Sequence, residues 1–265
     1  KCIKLVSYLS FFLAGMQVYT KELNVSQIQK NINIPSEFIN NIEPLNNGYL
    51  LFSTDAGARL FTGYQFISVL PDTGEVLAPL NGNVYSSLED SLGNLWFATD
   101  NGLYLLKKGA QKLTHFKHNP DDSQSLGNNH VRNILEDSDG NIWFGMLVGV
   151  SRYSPHDGKF KHYLSLPKPN KNRFLRNVHT LLEEKGKRLW IGGVVGLYYI
   201  DLVTDELHKA QKEFDSKYVT SSIQVDDDKI WFGIDSFGIL ELNLVTRKVE
   251  KISTDLNSKI VLRSN

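Results

Sequence analysis

Few residues of this sequence have the spacing that metal binding or acid–base catalysis requires. His115 and His118 lie three apart, but at a strand end and in a loop this spacing does not bring two side chains onto one face. Residues 136–141, Glu-Asp-Ser-Asp-Gly-Asn, faintly resemble a calcium loop, yet the carboxylates change position in the equivalent stretches 89–94 and 183–188. We interpret both features as structural, and we predict no catalytic residues, no metal ligands and no cofactor.

The composition excludes several other classes of function. The 265 residues have a formal net charge of zero, whereas a nucleic-acid-binding protein usually carries a strongly basic face. Cys2 is the only cysteine, so neither an intrachain disulfide nor a cysteine-rich zinc site can form. The sequence contains no nucleophile elbow, phosphate-binding glycine loop or metalloprotease helix. The basic stretch 168–176 could bind an anion, but we interpret it as a solvated loop.

An internal repeat in the sequence indicates the secondary-structure elements that would position a functional site. Similar segments end in Trp96, Trp143, Trp190 and Trp231, and a weaker copy has Leu51 at the tryptophan position. These positions follow one another at intervals of 41 to 47 residues. A period of this length is typical of propeller blades, so the repeat has to be interpreted before any single element.

Each copy has the pattern of four short strands joined by hairpins. In the third copy we predict strands at 131–137, 142–146, 150–153 and 159–163, with glycines at the turns between them. A solenoid would need shorter coils, and a sandwich would not repeat its sequence. We therefore predict an all-β fold, a β-propeller of four-stranded antiparallel blades, with about five blades present in an incomplete ring.

A bulky residue followed by a small one comes directly after each tryptophan position. The pairs are Phe52 and Ser53, Phe97 and Ala98, Phe144 and Gly145, Ile191 and Gly192, and Phe232 and Gly233. We expect the bulky side chain to fill the space between two blades. The small residue should allow the neighbouring strand or blade to approach closely.

One position changes its chemistry from copy to copy while the scaffold stays constant. It lies eleven residues before each tryptophan position and is occupied by Asn40, Tyr85, Arg132, His179 and Thr220. The first strand of a propeller blade usually lies innermost, and its beginning opens on the mouth of the channel. We predict that these five residues, called the rim residues below, bind a ligand there; a hydrated channel without a specific ligand is the alternative.

Three segments of the third copy carry a resemblance to a known family. Residues 134–145 (ILEDSDGNIWFG), 149–155 (GVSRYSP) and 158–163 (GKFKHY) closely resemble the two-component regulator propeller repeat. The resemblance covers roughly residues 38–265 and is weakest in the first copy. It implies the periplasmic sensor region of a bacterial inner-membrane receptor whose output is a histidine kinase or a diguanylate cyclase.

The ends of the sequence differ from the repeats. Residues 1–20 combine Lys1 and Lys4 with a short apolar run, which is typical of a signal peptide or another membrane-targeting segment. We assign residues 21–265 to the propeller, and a further blade begins near Ile260. Five blades and the start of a sixth leave an unpaired face at each end, so we expect an open arc or an aggregating species.

Two classes of function fit these features. The first is a sensor that binds a small molecule or an oligosaccharide, with possible homodimerisation through the propeller and membrane attachment only through other parts of the receptor. The second is a secreted propeller enzyme, a lyase or a glycoside-cleaving enzyme, with its site at the channel mouth. The rim residues include one histidine and no acid, which favours binding over catalysis.

Overall fold

Twenty strands form five sheets in the computed structural model, which describes Ser36 and residues 38–69, Leu80, and residues 82–163 and 175–252. Each sheet contains four antiparallel strands in chain order. Sheet 1 contains β1 (Ile39–Pro44), β2 (Leu50–Thr54), β3 (Gly57–Phe61) and β4 (Phe66–Ser68); sheet 2 contains β5 (Val84–Glu89), β6 (Leu95–Thr99), β7 (Gly102–Leu106) and β8 (Thr114–Phe116). Sheet 3 contains β9 (Val131–Glu136), β10 (Ile142–Met146), β11 (Val150–Ser154) and β12 (Lys159–Tyr163); sheet 4 contains β13 (Val178–Glu184), β14 (Arg188–Gly193), β15 (Gly196–Asp201) and β16 (Glu206–Lys209). Sheet 5 contains β17 (Val219–Asp226), β18 (Lys229–Ile234), β19 (Gly238–Asn243) and β20 (Val249–Lys251).

The strands predicted for the third copy are confirmed. The second and fourth predicted strands have the same bounds as β10 and β12, and the other two differ from β9 and β11 by one residue. Gly140 and Gly158 have φ values of 80° and 70° in the turns before β10 and β12, a backbone conformation that glycine adopts without steric cost. The targeting segment predicted at residues 1–20 and the blade predicted near Ile260 lie outside the described residues.

The five sheets are arranged as an arc around their first strands. Strands β1, β5, β9, β13 and β17 contact one another in chain order, so the first strand of each sheet is the inner one. Within the described residues, the sheets do not close into a ring. The predicted fold class, an all-β propeller with five blades in an incomplete ring, is confirmed.

The repeated tryptophans occupy matching positions on successive sheets. Trp96, Trp143, Trp190 and Trp231 all lie on the second strand, and each pairs with the residue eight positions earlier on the first strand. Leu51 occupies the same position in sheet 1. The duplicated unit is therefore one four-stranded sheet with a constant register.

Contacts between neighbouring sheets form the core. In sheets 1 to 4 the face with the tryptophan position packs against the bulky residue that follows the tryptophan position in the next sheet, as Trp96 does against Phe144 at 5.6 Å between ring centres. The same arrangement joins Leu51 to Phe97, Trp143 to Ile191 and Trp190 to Phe232. Since one sheet cannot bury both of its faces alone, each sheet depends on its neighbours for stability.

The small residues allow this close approach, as the sequence predicts. A Cβ atom added to Gly145 would lie 2.7 Å from Cγ1 of Val178, the first residue of the next inner strand. At Gly192 the corresponding distance to Cγ1 of Val219 is 2.6 Å. Both distances are shorter than van der Waals contact, so a larger residue would push the sheets apart.

The outer faces of the two terminal sheets have no described sheet against them. In sheet 5, Trp231 is only partly buried, and its neighbours Ile223 and Val225 are each 45% exposed. In sheet 1, Phe52 packs on the aromatic rings of its own sheet, Phe61 and Phe66. The solution behaviour expected from these open faces remains a prediction.

Candidate ligand-binding rim

Each of the five rim residues is the extra residue of a β-bulge. Near the start of every inner strand the pairing with the second strand skips one position, and the residues skipped there are Asn40, Tyr85, Arg132, His179 and Thr220. A bulge leaves one residue outside the ladder and redirects its side chain. The position can therefore vary without disturbing the register of the sheet.

Three of the five rim residues lie close to one another. The guanidinium carbon of Arg132 lies 5.1 Å from the centre of the Tyr85 ring, which is a cation–π contact between sheets 3 and 2. The inner strands that carry Arg132 and His179, β9 and β13, contact each other, and, in addition to burial, the positive charge of Arg132 contributes to lowering the pKa of His179. The imidazole Nε2 of His179 lies 2.6 Å from the hydroxyl oxygen of Tyr218, which precedes β17.

We call Tyr85, Arg132, His179 and Tyr218 the rim cluster. Tyr218 was not predicted from the sequence. The feature of the sequence that could have indicated Tyr218 is a second variable position, which lies two residues before each rim residue. This position is occupied by Phe38, Asn83, His130, Asn177 and Tyr218.

The other two rim residues take part in local hydrogen bonds instead. Asn40 donates from its side-chain amide to the carbonyl oxygen of Val84 and to Oδ1 of Asn83, both at 2.8 Å. Thr220 donates to the carbonyl oxygen of Gly233 in its own sheet at 3.2 Å. These contacts join sheets 1 and 2 and support the end of sheet 5, and neither residue contacts the rim cluster through them.

The rim cluster combines a cation with a histidine that is neutral at pH 7. Burial lowers the pKa of His179 below its ordinary value, and the positive charge of Arg132 lowers it further. Within the described part of the chain, no carboxylate lies within ion-pair distance of Arg132, and its buried Nε has no hydrogen-bond partner. The rim cluster can therefore donate hydrogen bonds to an oxygen-rich ligand, and its aromatic rings can stack against the rings of that ligand. The cluster contains no pair of acidic residues.

Residues 136–141, which resemble a calcium loop in sequence, contribute to the packing of the sheets. Asp137 accepts hydrogen bonds from Nε1 of Trp143 at 2.6 Å and from the backbone N–H groups of Asp139 and Asn141. Asp90 binds Trp96 in the same way, at 2.8 Å. Asp137 thus stabilises the turn of the hairpin and also holds the indole of Trp143.

In three sheets a glutamate near the end of the first strand forms hydrogen bonds with the preceding sheet. Glu136 accepts hydrogen bonds from the backbone N–H and the hydroxyl of Ser91 in the preceding sheet, at 2.7 and 2.6 Å. Glu183 binds Ser138 in the same way, at 2.9 and 2.6 Å. Glu89 accepts from the backbone N–H of Asn46 at 2.7 Å. We call these contacts the inter-sheet latches; the sequence analysis missed them.

The histidine pair considered for a metal binds backbone oxygens. A ring nitrogen of His115 lies 2.8 Å from the carbonyl oxygen of Asn101, and one of His118 lies 2.7 Å from that of Leu126. No cluster of three histidine, cysteine or acidic side chains suited to a metal occurs in the described ranges. The predicted solvated loop at 168–176 lies outside the described residues, apart from its last two positions.

Repeated four-stranded sheets, arranged around inner strands with a variable residue at each inner bulge, define a β-propeller-type domain. Two segments, residues 79–101 and 125–147, match the family model of the two component regulator propeller. The resemblance inferred from the sequence is confirmed: these two segments are similar to repeats of this family. No curated protein sequence matches the chain.

Solved structures share the fold at low sequence identity. The extracellular domain of the putative hybrid two component system BT3049 from B. thetaiotaomicron matches with a TM-score of 0.67 and 21% identity, over 87% of this chain and 31% of that one. The corresponding domain of BT4673 matches at 0.58 and 20%, over 89% and 36%. PorZ, a surface component of the type-IX secretion system of Porphyromonas gingivalis, matches at 0.62 and 14%, over 89% and 37%.

The chain therefore spans about a third of the length of these solved chains. At such identities the likeness establishes the fold alone. Among the residues that the structure describes, none forms a helix long and apolar enough to cross a membrane.

Proposed function

We propose that this chain is part of the ligand-sensing, extracytoplasmic propeller of a bacterial transmembrane receptor. In this proposal the propeller lies in the periplasm and belongs to an inner-membrane receptor of the hybrid two-component or diguanylate cyclase type. The family repeats and the resemblance to extracellular domains of hybrid two component systems support this assignment.

The variation at the inner bulges carries the proposal. All five sheets have the same strand order and hairpin connections, whereas the bulged residue differs in each sheet. A residue outside the ladder can differ in charge and shape without disturbing the pairing of the strands. Diversity at matching places around one mouth is what selective recognition of a ligand requires.

The rim cluster supports binding rather than catalysis. Arg132 offers guanidinium donors beside the Tyr85 ring, and His179 offers an uncharged imidazole beside the Tyr218 hydroxyl. These groups suit a polar ring compound or an oligosaccharide, since aromatic faces and fixed hydrogen-bond donors act together. We therefore propose that this chain contributes binding and not chemistry.

The test uses the complete receptor and a transcriptional reporter of its output. A panel of oligosaccharides and small polar compounds is screened with the wild-type receptor, and the most active compound is then titrated. For the double variant Arg132→Ala/His179→Ala we expect a half-maximal concentration about 10- to 100-fold higher, the loss expected for one or two charge-assisted hydrogen bonds.

The matched control is Lys187→Ala/His156→Ala, which removes an exposed cation and an exposed histidine from hairpins outside the rim cluster. This control should respond like the wild type, and both double variants should be present at wild-type levels with unchanged thermal midpoints. A rim variant that retains the full response at the original concentration would refute the proposal.

A further inference from the structure

A second cleft lies away from the inner strands, between sheet 4 and the β19–β20 turn of sheet 5. It has a volume of about 330 Å³ and is lined by Arg188, Trp190, Tyr199, Lys209, Ala210, Gln211 and Arg247. A neighbouring cavity of about 420 Å³ shares Gln211 and Arg247 with it. None of these residues belongs to the rim cluster.

Three buried polar atoms in the lining of this cleft have no hydrogen-bond partner among the described residues. They are Nε1 of Trp190, Nε of Arg188 and Oε1 of Gln211. Trp190 is only 1% exposed, so water does not satisfy its indole from outside. A buried donor without a partner is costly, and several in one place require an explanation.

The equivalent tryptophans of sheets 2 and 3 have a carboxylate acceptor for the indole hydrogen. Trp96 and Trp143 donate their indole hydrogens to Asp90 and Asp137, which lie six residues earlier. The equivalent residue for Trp190 is Glu184.

The carboxylate of Glu184 is used by two arginines instead. Its Oε2 lies 3.2 Å from Arg188, and its Oε1 lies 3.4 Å from Arg247. The indole of Trp190 therefore lacks the carboxylate that its counterparts have.

The charge of the lining is suited to an anion. The lining contains three cations, Arg188, Lys209 and Arg247, and no acidic residue; Glu184 beside it pairs with both arginines and Asp215 with Lys209, so one positive charge remains in excess. Lys209 is paired with Asp215 at 2.6 Å, and the guanidinium of Arg188 is held over the Tyr199 ring at 5.0 Å. The amide of Gln211 can rotate to present its NH₂ group, because amide orientation follows the hydrogen bonds available.

We propose that this cleft binds a small carboxylate ligand. The carboxylate of the ligand accepts hydrogen bonds from Nε1 of Trp190 and Nε of Arg188, in the role that Asp90 and Asp137 have in sheets 2 and 3. The site is independent of the rim cluster and does not depend on the receptor function. Its occupant also contacts Arg247, so binding strengthens the contact between sheets 4 and 5.

The test follows the indole N–H signals of the full-length protein labelled with ¹⁵N-tryptophan. Sodium acetate and sodium benzoate are the probes, with sodium chloride replaced in step so that ionic strength stays constant. The Trp190 signal is assigned by its loss in Trp190→Phe. We expect it to shift in a saturable manner with at least one probe, while the Trp96 and Trp143 signals stay in place.

A variant series tests the second donor. Arg188→Lys keeps the positive charge but lacks the guanidinium Nε–H, and we expect the probe to bind at least about tenfold more weakly. Arg59→Lys in sheet 1 is the matched control and should leave the titration unchanged. If neither probe produces a saturable shift of the Trp190 signal, or if sodium chloride alone produces the same shift, the cleft holds only water and the proposal is overturned.

Discussion

Replacing Trp143 and Trp190 with phenylalanine separates the indole hydrogen bond from the burial of the ring. The two tryptophans lie at the same position of neighbouring sheets and are 0% and 1% exposed. Trp143 donates to Asp137 at 2.6 Å, whereas the indole nitrogen of Trp190 has no partner among the described residues. Both substitutions remove the same atoms, so the loss of buried ring volume is similar and cancels in the comparison.

The difference between the two variants then measures the hydrogen bond. Trp143→Phe loses a charge-assisted bond, which contributes about 1.5–3 kcal/mol, while Trp190→Phe removes an unpaired donor and relieves part of its burial cost. We expect Trp143→Phe to lower the free energy of unfolding by about 2–4 kcal/mol more than Trp190→Phe does.

Guanidinium unfolding followed by far-UV circular dichroism measures both free energies, in a buffer free of carboxylate ions. The slopes of the two transitions must agree for the comparison to hold. Equal destabilisation by the two substitutions would refute the assignment of Asp137 as an indole partner and would remove the basis for treating the Trp190 site as unfilled.

Three further predictions concern packing, the latches and pH. Gly145→Ala should destabilise the fold by about 1–3 kcal/mol, because the new methyl group would clash with Val178; the thermal midpoint measures this. Glu136→Gln should lower the free energy of unfolding by about 0.5–1.5 kcal/mol in urea, because an amide offers only one oxygen to the two donors of Ser91. Burial, aided by the charge of Glu89, raises the pKa of Glu43 from 4.5 to about 7, so unfolding titrations should show stability falling as pH rises from 4.5 to 7.

Each of these predictions has a control. Gly82→Ala adds a methyl group in open space and should leave the thermal midpoint unchanged. Gln224→Ala alters the latch position of sheet 5, where no latch forms among the described residues, and should be neutral in urea. Glu43→Gln should remove the loss of stability between pH 4.5 and 7, because the folded state binds the proton more tightly than the unfolded chain. An unchanged pH profile in this variant would contradict the assignment to Glu43.

Local patterns predicted the strands well because each hairpin is specified by adjacent residues. The alternation in β12 and the turn glycine Gly158 lie within a few residues of each other, so the sequence alone defines that hairpin. The period of the tryptophans also predicted the radial arrangement, since a repeated half-buried sheet requires identical neighbours.

Contacts between copies were harder to predict. The latch between Glu136 and Ser91 joins residues 45 positions apart, and its acidic residues look like a calcium loop when one copy is read alone. Glu184 lies where the second and third copies have aspartate; although it carries the same charge, its carboxylate pairs with two arginines and does not accept from the indole. The bulge at Arg132 leaves no mark in hydropathy, and only the variability among copies indicated that position.

The latches all point in one direction along the chain. In every case the glutamate of a later sheet holds the hairpin of the sheet before it, as Glu183 holds Ser138. We therefore expect each newly made blade to stabilise the hairpin of the blade before it during synthesis. We expect hydrogen exchange of the Ser138 amide to slow in ribosome-bound chains only after residues through Glu183 have emerged; protection before that length would show that a hairpin closes without its successor.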